Sequence, residues 1–225
     1  VDYRAGDRLL SRGERILAPL SAVAASVGKA SLSVSKSPKI AVIGTGDECV
    51  PIHEIPKPYQ IRRSNSSCLH SALLSCGFTR VSLFHLDDDK EKMLPCVEKI
   101  LEDFDCLIFT GGVSMGKLDY VPHVLKELNV AEIFHGVRQR PGKPLWFGVG
   151  SRKQLVFGLP GNPVSALVCA HRYILPALKA AQGGIARNLP YGVLTENFQF
   201  NPSLVFFLPV QVEYTNDARI QVSPR

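Results

Sequence analysis

The pattern that most constrains this chain is an alternation of short apolar runs with segments of helical periodicity between Lys39 and Gln182. One helical segment, residues 90–102, places Met93 and Val97 on a single apolar stripe. Strands that alternate with helices form parallel sheets whose crossovers cover both faces. We therefore expect a three-layer α/β/α fold with a mostly parallel central sheet. The apolar runs that we interpret as strands are residues 39–44, 81–86, 106–110, 144–148 and 154–158.

Turn-forming and capping residues predict where the helices begin and end. Asn65 is expected to cap the helix that follows the first strand. Asn162 followed by Pro163 is typical of a helix start. The helix it opens is expected to run to about Gln182 and to be kinked or shortened by Pro176. A shorter helix is expected around residues 120–128 and another over residues 18–27.

The segments on either side of the alternating region have a different character. Residues 1–38 begin without methionine and alternate short apolar pieces with glycine turns, which suggests the remnant of an N-terminal domain. After a hinge at Gly183 and Gly184, strand-like runs separated by Asn and Pro turns indicate a partial small β-domain. We expect three units, at residues 1–38, 39–185 and 186–225.

Composition narrows the classes of function. The chain of 225 residues is 45% hydrophobic and 20% charged, which excludes a disordered chain, and no apolar run is long enough to span a membrane. Six cysteines without C-x-x-C spacing indicate free buried thiols and a cytoplasmic protein. The net charge of +6 comes without a basic stripe interleaved with aromatics, so nucleic acid is not an expected partner.

Polar and glycine-rich loops follow the predicted strands at residues 44–48, 87–89, 111–120 and 159–165. Ligands of open α/β sheets bind beyond the carboxyl ends of the strands. Because those ends meet at one edge of a parallel sheet, we expect the four loops to converge there. This convergence is the main functional signal that comes from the residues themselves.

The third of these loops suits an anion. Gly111, Gly112 and Gly116 let the backbone approach a ligand closely, Ser114 adds a hydroxyl donor, and the following helix contributes its positive dipole. It is not a Walker loop, because Leu118 follows Gly116-Lys117. The letters G-V-S-M-G also fit a hydrolase nucleophile, but no histidine follows in triad order, which disfavours that mechanism.

A second anion site is predicted in R-P-G-K-P, residues 140–144. Arg140 can hold a phosphate through two hydrogen bonds, and Lys143 adds a point charge. The alternative interpretation is a solvated basic turn with no ligand.

Four carboxylates are placed on the same predicted edge: Asp47, Glu48, Asp88 and Asp119. Oxygen ligands of this kind suit Mg²⁺, which takes one or two carboxylates together with water and substrate phosphates. The alternatives are structural: Asp119 would cap the next helix, and residues 87–89 would cap the helix that begins near Lys90.

Four motifs in this order resemble the molybdopterin molybdotransferases, the MoeA and gephyrin E-domain family. They are T-G-D-E (45–48), T-G-G-V-S-M-G-K-L-D-Y-V (110–121), R-P-G-K-P (140–144) and G-L-P-G-N-P-V-S-A (158–166). The resemblance implies a transferase of molybdenum cofactor biosynthesis that binds molybdopterin in the segment 39–185. Its substrates would be adenylylated molybdopterin and molybdate. The adenylate would be hydrolysed with Mg²⁺, and AMP would be released as molybdate is inserted.

The resemblance also implies site residues. The family's functional carboxylates fall on Asp2, Glu48, Asp88 and Asp119, of which the last three would be metal ligands. Gly111, Gly112, Ser114 and Gly116 would cradle the pterin phosphate, and Arg140 and Lys143 would hold phosphate or molybdate. Asn162 and Pro163 would shape the base of the pocket, with Thr45, Gly46, Asp47, Pro160 and Gly161 completing the substrate-binding set.

The chain departs from the family at several points. Arg140 stands where lysine is common, and Gly136 replaces a basic residue. The family's first domain and small inserted lobe lie before Asp2, and family members act as homodimers whose cleft uses the partner's lobe. The chain alone is therefore expected to turn over slowly or not at all.

Two alternative functions remain open. One is the adenylyltransferase chemistry of the sister family, whose members share the fold and are a possible partner of this protein. The other is a non-catalytic scaffold or binding module, since the gephyrin E domain also anchors receptor tails.

Overall fold

The computed structural model describes residues 3–113, 119–185, 189–200, 203–217 and 219–225. Six α-helices and thirteen strands are formed within these ranges. The helices are α1 (Ala18–Ser26), α2 (Ser64–Ser75), α3 (Lys90–Asp103), α4 (Val121–Glu127), α5 (Pro163–Cys169) and α6 (Leu175–Ala181). The strands are β1 (Ile40–Thr45), β2 (Cys49–Val50), β3 (Ile61–Arg62), β4 (Val81–Leu86), β5 (Cys106–Thr110), β6 (Ala131–His135), β7 (Gln139–Arg140), β8 (Trp146–Val149), β9 (Leu155–Leu159), β10 (Val193–Leu194), β11 (Val205–Phe206), β12 (Val210–Tyr214) and β13 (Ile220–Pro224).

The central sheet has the strand order β4-β1-β5-β9-β8-β6. Strands β4, β1, β5 and β9 are parallel, whereas β8 and β6 are antiparallel to their neighbours. The expected mostly parallel sheet is therefore confirmed. Strand β6 was not anticipated from the sequence, because its residues are largely exposed and lack an apolar run.

The two faces of the sheet pack against different helices. In β1, Ile40 and Val42 contact the core formed with α2, α5 and α6, whereas Ala41 and Ile43 contact the core formed with α3 and α4. Successive strand residues point to opposite faces, so a strand that is buried throughout feeds both cores. The three-layer α/β/α arrangement is confirmed.

Helix α2 differs from its prediction at its start. Arg63 occupies the N-cap position and no side chain caps the helix, so the assignment of Asn65 as the cap is wrong. The amide of Asn65 instead donates to Thr110 Oγ1 and to the Gly161 carbonyl, each at 2.8 Å. Side-chain partners on other elements therefore outcompete the helix end for this residue.

The long helix after β9 begins as expected, with Asn162 Oδ1 accepting from the Ser165 backbone N–H at 3.1 Å. Between α5 and α6 the backbone forms a π-helical turn over Ala170–Ile174, directly before Pro176. A π-turn is one of the ways in which a helix accommodates a local interruption of its hydrogen bonds. The interruption expected at Pro176 is thus a widened turn.

The last part of the chain forms a small β unit, as expected. Strands β10, β13 and β12 make a three-stranded sheet, and β11 pairs with β7 of the preceding region. Strands β10 and β11 are two residues long and β12 is five residues long, and most of their side chains are exposed. Within the described ranges, none of the helices is both long and apolar enough to cross a bilayer.

Candidate functional site

The carboxyl ends of the four parallel strands form one edge of the sheet, which we call the rim. The strands end at Thr45, Leu86, Thr110 and Leu159, and the loops that follow them lie side by side. The basic turn at residues 140–144 reaches the same rim, because β8 runs antiparallel to β9 and its first residue, Trp146, pairs with Gly158. All the described motifs of the sequence therefore meet at one edge.

A pair of glycines forms the centre of the rim. Gly111 and Gly112 have φ angles of +93° and +61°, which L side chains rarely adopt. A Cβ atom at either position would lie within 3.0 Å of Thr45 Oγ1. Thr45 is itself 3% exposed, and its hydroxyl has no hydrogen-bond partner among the described residues. The loop thus lies directly on the end of β1.

Asn65 joins two of the rim loops and was missed by the sequence reasoning. Through its bonds to Thr110 Oγ1 and the Gly161 carbonyl, it ties the end of β5 to the loop before α5. Its own Oδ1 is buried without a partner in the described part of the chain. A signal existed: helices that follow parallel strands start at the rim, so polar residues in the first turn of α2 face it.

The acidic residues form one end of the rim. The backbone N–H of Asp88 donates to Asp47 Oδ1 at 3.0 Å, which joins the loops after β4 and β1. The pKa of Asp88 is raised, first by burial and then by the negative charges of Asp47 and Glu48, with a smaller contribution from Asp119. A hydrogen bond from the Asp47 backbone partly offsets the rise. Asp88 therefore lies close enough to three other carboxylates for their negative charges to raise its pKa.

Helix capping was the structural alternative for Asp119 and for residues 87–89, and the two cases differ. Tyr120, not Asp119, occupies the N-cap of α4, and the Tyr120 side chain makes no capping hydrogen bond. The interpretation of Asp119 as a cap is therefore wrong. Asp89 does cap α3, accepting from the backbone N–H groups of Glu91 and Lys92. Asp88 is left to face Asp47 across the rim.

A magnesium ion fits the chemistry of the acidic end. Mutual repulsion that raises a carboxyl pKa is relieved when a divalent cation binds between the carboxylates. No three His, Cys, Asp or Glu side chains of the described residues are close enough to complete a ligand set. Mg²⁺ commonly takes only one or two protein carboxylates, and water and phosphate oxygens supply the rest.

Two further groups beside the acids were not singled out from the sequence. The side chain of His85 is 12% exposed, and its Nε2 lies 3.9 Å from Asp87 Oδ1. Burial and then the positive charge of Arg63 lower the pKa of His85, against the opposing effect of the nearby acids. Arg63 also donates to the Cys49 carbonyl at 3.1 Å. Arg63 is therefore a cation held beside the acidic end.

The basic turn lies at the other end of the rim. The side chains of Arg140 and Lys143 are exposed, and the Arg140-Pro141 peptide bond is cis. The turn is closed by hydrogen bonds from Val137 N–H to the Lys143 carbonyl at 2.8 Å and from Leu145 N–H to the Gly142 carbonyl at 3.2 Å. Neighbouring strands are about 4.8 Å apart, so the three steps from β1, which leads into Asp47 and Glu48, to β8 place these two strand ends roughly 14 Å apart.

The remaining site predictions have mixed placements. Gly46 has a φ of +119°, and the carboxylate of Glu48 occupies the space where its Cβ would lie, 2.6 Å away. Pro160 is buried, Gly161 accepts from Asn65, and Asn162 is an exposed helix cap before the exposed Pro163. Asp2, Ser114 and Gly116 lie outside the described residues.

The raised pKa of Asp88 gives a prediction about stability. The folded protein binds this proton more tightly than the unfolded chain, so stability is lost as the pH rises through the folded-state pKa. Asp88→Asn is expected to raise the Tm at pH 7 and to leave it unchanged at a pH below the ordinary aspartate value. Thermal unfolding across pH measures this, with the exposed Glu98→Gln of α3 as a control. An equal effect at both pH values would contradict the assignment.

Comparison with known proteins adds to this geometry. A family model described as "Probable molybdopterin binding domain" matches residues 41–180. The chain is 42% identical over 224 residues to a molybdopterin molybdenumtransferase from Synechocystis sp., covering 99% of this chain and 55% of that protein. The enzyme of the same name from Bacillus subtilis is 30% identical over 195 residues, which is 87% of this chain and 44% of that protein.

Solved structures agree with these matches. The molybdopterin biosynthesis moeA protein from Pyrococcus horikoshii is 31% identical, with a TM-score of 0.78 over 96% of this chain and 52% of that one. The chain thus spans about half the length of the curated relatives that it matches. Since the family model covers more than half of the chain and the matched segment contains the whole rim, the chain belongs to the MoeA-like molybdopterin molybdotransferase family.

Proposed function

We propose that this protein takes part in molybdenum cofactor biosynthesis as a molybdopterin molybdotransferase. It would release AMP from adenylylated molybdopterin and insert molybdate into the pterin dithiolene. The observation that carries the proposal is the pairing, on one rim, of an acidic end with a basic end on either side of a glycine loop. A substrate that is a polyanion with a phosphoanhydride needs both kinds of group. The names of the curated relatives support the same reaction.

The proposed roles of the residues follow from their placement. Of the predicted metal ligands Glu48, Asp88 and Asp119, one or two would bind Mg²⁺ directly and the rest would act through bound water. The ion when bound would neutralise charge on the adenylate phosphates. Gly111 and Gly112 would let backbone N–H groups approach the pterin phosphate. Arg140 and Lys143 would hold the oxyanion, either phosphate or molybdate. Thr45 and Asn65 would keep the loops of the rim in register around the substrate.

The proposal extends to the organisation of the protein. The match over residues 41–180 supports residues 39–185 as the molybdopterin-binding unit, flanked by units at 1–38 and 186–225. The six free thiols support a reducing compartment, which we take to be the cytoplasm. We propose a homodimer because the family resemblance implies a cleft completed by a second subunit. An adenylyltransferase is the expected source of the substrate.

The test compares two reactions in one chimeric enzyme. Because the chain spans about half the length of its relatives, we place it in the Synechocystis enzyme in exchange for the matching segment. AMP release is then measured with adenylylated molybdopterin, molybdate and Mg²⁺, and pyrophosphate release is measured with molybdopterin and ATP. We expect the first activity and not the second. Pyrophosphate release from ATP would favour adenylyltransferase chemistry, and failure of the separate chain to bind adenylylated molybdopterin would favour a scaffold role.

A further inference from the structure

A buried polar side chain lies beneath the basic turn. Gln139, the first residue of β7, is 2% exposed. Its Nε2 donates to the Pro141 carbonyl at 3.0 Å and lies 3.4 Å from the Gly142 carbonyl. It also lies 3.6 Å from Cys169 Sγ on α5. Gln139 therefore contacts the inner side of the turn whose outer side carries Arg140 and Lys143.

The oxygen of the same amide is held from another element. The hydroxyl of Tyr173 donates to Gln139 Oε1. Tyr173 belongs to the π-helical turn Ala170–Ile174, which widens the helix at the point where this side chain leaves it. Both ends of the Gln139 amide are therefore engaged, one by the turn and the other by the helix. We call this chain of contacts, from Tyr173 through Gln139 to the Pro141 carbonyl, the amide relay.

The relay is not needed to fill space. A buried amide must be fully hydrogen-bonded to avoid a penalty, and an apolar side chain of similar volume would fill the site without that requirement. Fully satisfied buried polar contacts fix one conformation where apolar contacts allow several. Gly142 adds to this, because a Cβ there would lie 2.5 Å from Cys169 Sγ. The turn is thus pressed onto the helix in one arrangement.

We propose that Gln139 and Tyr173 are positioning residues for the anion-binding turn, holding Arg140 and Lys143 in the arrangement that receives phosphate or molybdate. The inference rests on the proposed function for the identity of the anion. The inference goes beyond the proposed function because it assigns the geometry of the basic end to two residues that do not touch the substrate. Helices α5 and α6 and the π-helical turn between them then support the binding site through the amide relay.

Two variants test the relay with little change in volume. Tyr173→Phe removes only the hydroxyl, and Gln139→Leu removes the amide; the exposed Tyr191→Phe is the matched control. Dissociation constants for AMP and for molybdate are measured by titration calorimetry of the purified chain. We expect each single variant to raise the dissociation constants by about five- to tenfold. Because the two residues act as one unit, the double variant is expected to bind no less tightly than the single variant with the larger loss. Tyr191→Phe is expected to bind as the original protein does.

A second measurement separates this inference from the function on which it rests. Amide hydrogen exchange is followed at Val137 and Leu145, whose N–H groups close the turn. Faster exchange in both variants supports the relay, and unchanged exchange with unchanged affinity overturns it. If Lys143→Ala binds both anions with unchanged affinity, the proposed anion site is wrong. Hydrogen exchange at Val137 and Leu145 still decides whether the amide relay holds the turn.

Discussion

Replacement of Asp119 by asparagine is expected to lower AMP release by about a hundredfold or more, since loss of a carboxylate at a divalent cation removes several kcal/mol of charge stabilisation. Asp119 directly precedes Tyr120, the N-cap of α4, and its negative charge acts on Asp88 across the rim. The substitution removes one charge without changing volume. The activity is measured in the same chimeric enzyme, with adenylylated molybdopterin, molybdate and Mg²⁺.

The control for Asp119→Asn is Asp103→Asn, an exposed residue at the far end of α3. It changes the net charge equally but leaves the rim intact, so its activity is expected to be that of the parent. Both variants are expected to retain the parental Tm to within a few degrees. Undiminished AMP release by Asp119→Asn would remove this residue from the proposed site.

The largest expected effect on stability is that of Gly142→Ala. The residue has a φ of +94°, and a Cβ would lie 2.5 Å from Cys169 Sγ and 2.7 Å from Gln139 Nε2. The left-handed backbone costs about 1–2 kcal/mol for an L side chain, and overpacking adds about 1–3 kcal/mol. We expect a loss of about 2–5 kcal/mol in the free energy of unfolding, which at about 2–4 °C per kcal/mol lowers the Tm by roughly 4–20 °C. Thermal unfolding measures this.

Two further variants separate the causes. Gly161→Ala lies at the same rim with no atom within 4 Å of its Cβ, and it is expected to change stability by less than about 0.5 kcal/mol. Combining Cys169→Ala with Gly142→Ala removes one of the two close contacts of the added Cβ. We therefore expect Gly142→Ala to lower the Tm by less in a Cys169→Ala protein than in the parent. A Gly142→Ala protein as stable as the parent would contradict the described packing of the turn.

The layers and the rim were accessible from the sequence for a physical reason. Strands such as β1 and β5 are buried on both faces, so their apolar runs are continuous and easily identified. Once the strands are parallel, geometry alone brings the loops after Thr45 and Thr110 to the same edge. Asp89 and Asn162 were equally accessible, since capping depends on neighbours in sequence.

The contacts that hold the rim together were not accessible in this way. Asn65 was assigned to a local role, but its amide bonds to Thr110 and Gly161, which lie 45 and 96 residues away. Gln139 depends on Tyr173, which a π-helical turn presents and which no helical periodicity anticipates. Such partners are decided by tertiary packing, where a short polar side chain can choose among several acceptors.

The separation of charge along the rim has a consequence for how the protein meets ions. At physiological ionic strength the Debye length is about 8 Å, shorter than the roughly 14 Å between the two ends. The ends are therefore largely screened from each other until a ligand excludes the solvent between them. The acidic end and the basic end can therefore evolve their ion preferences independently. Only a ligand long enough to contact both ends interacts with the two sets of charges at once.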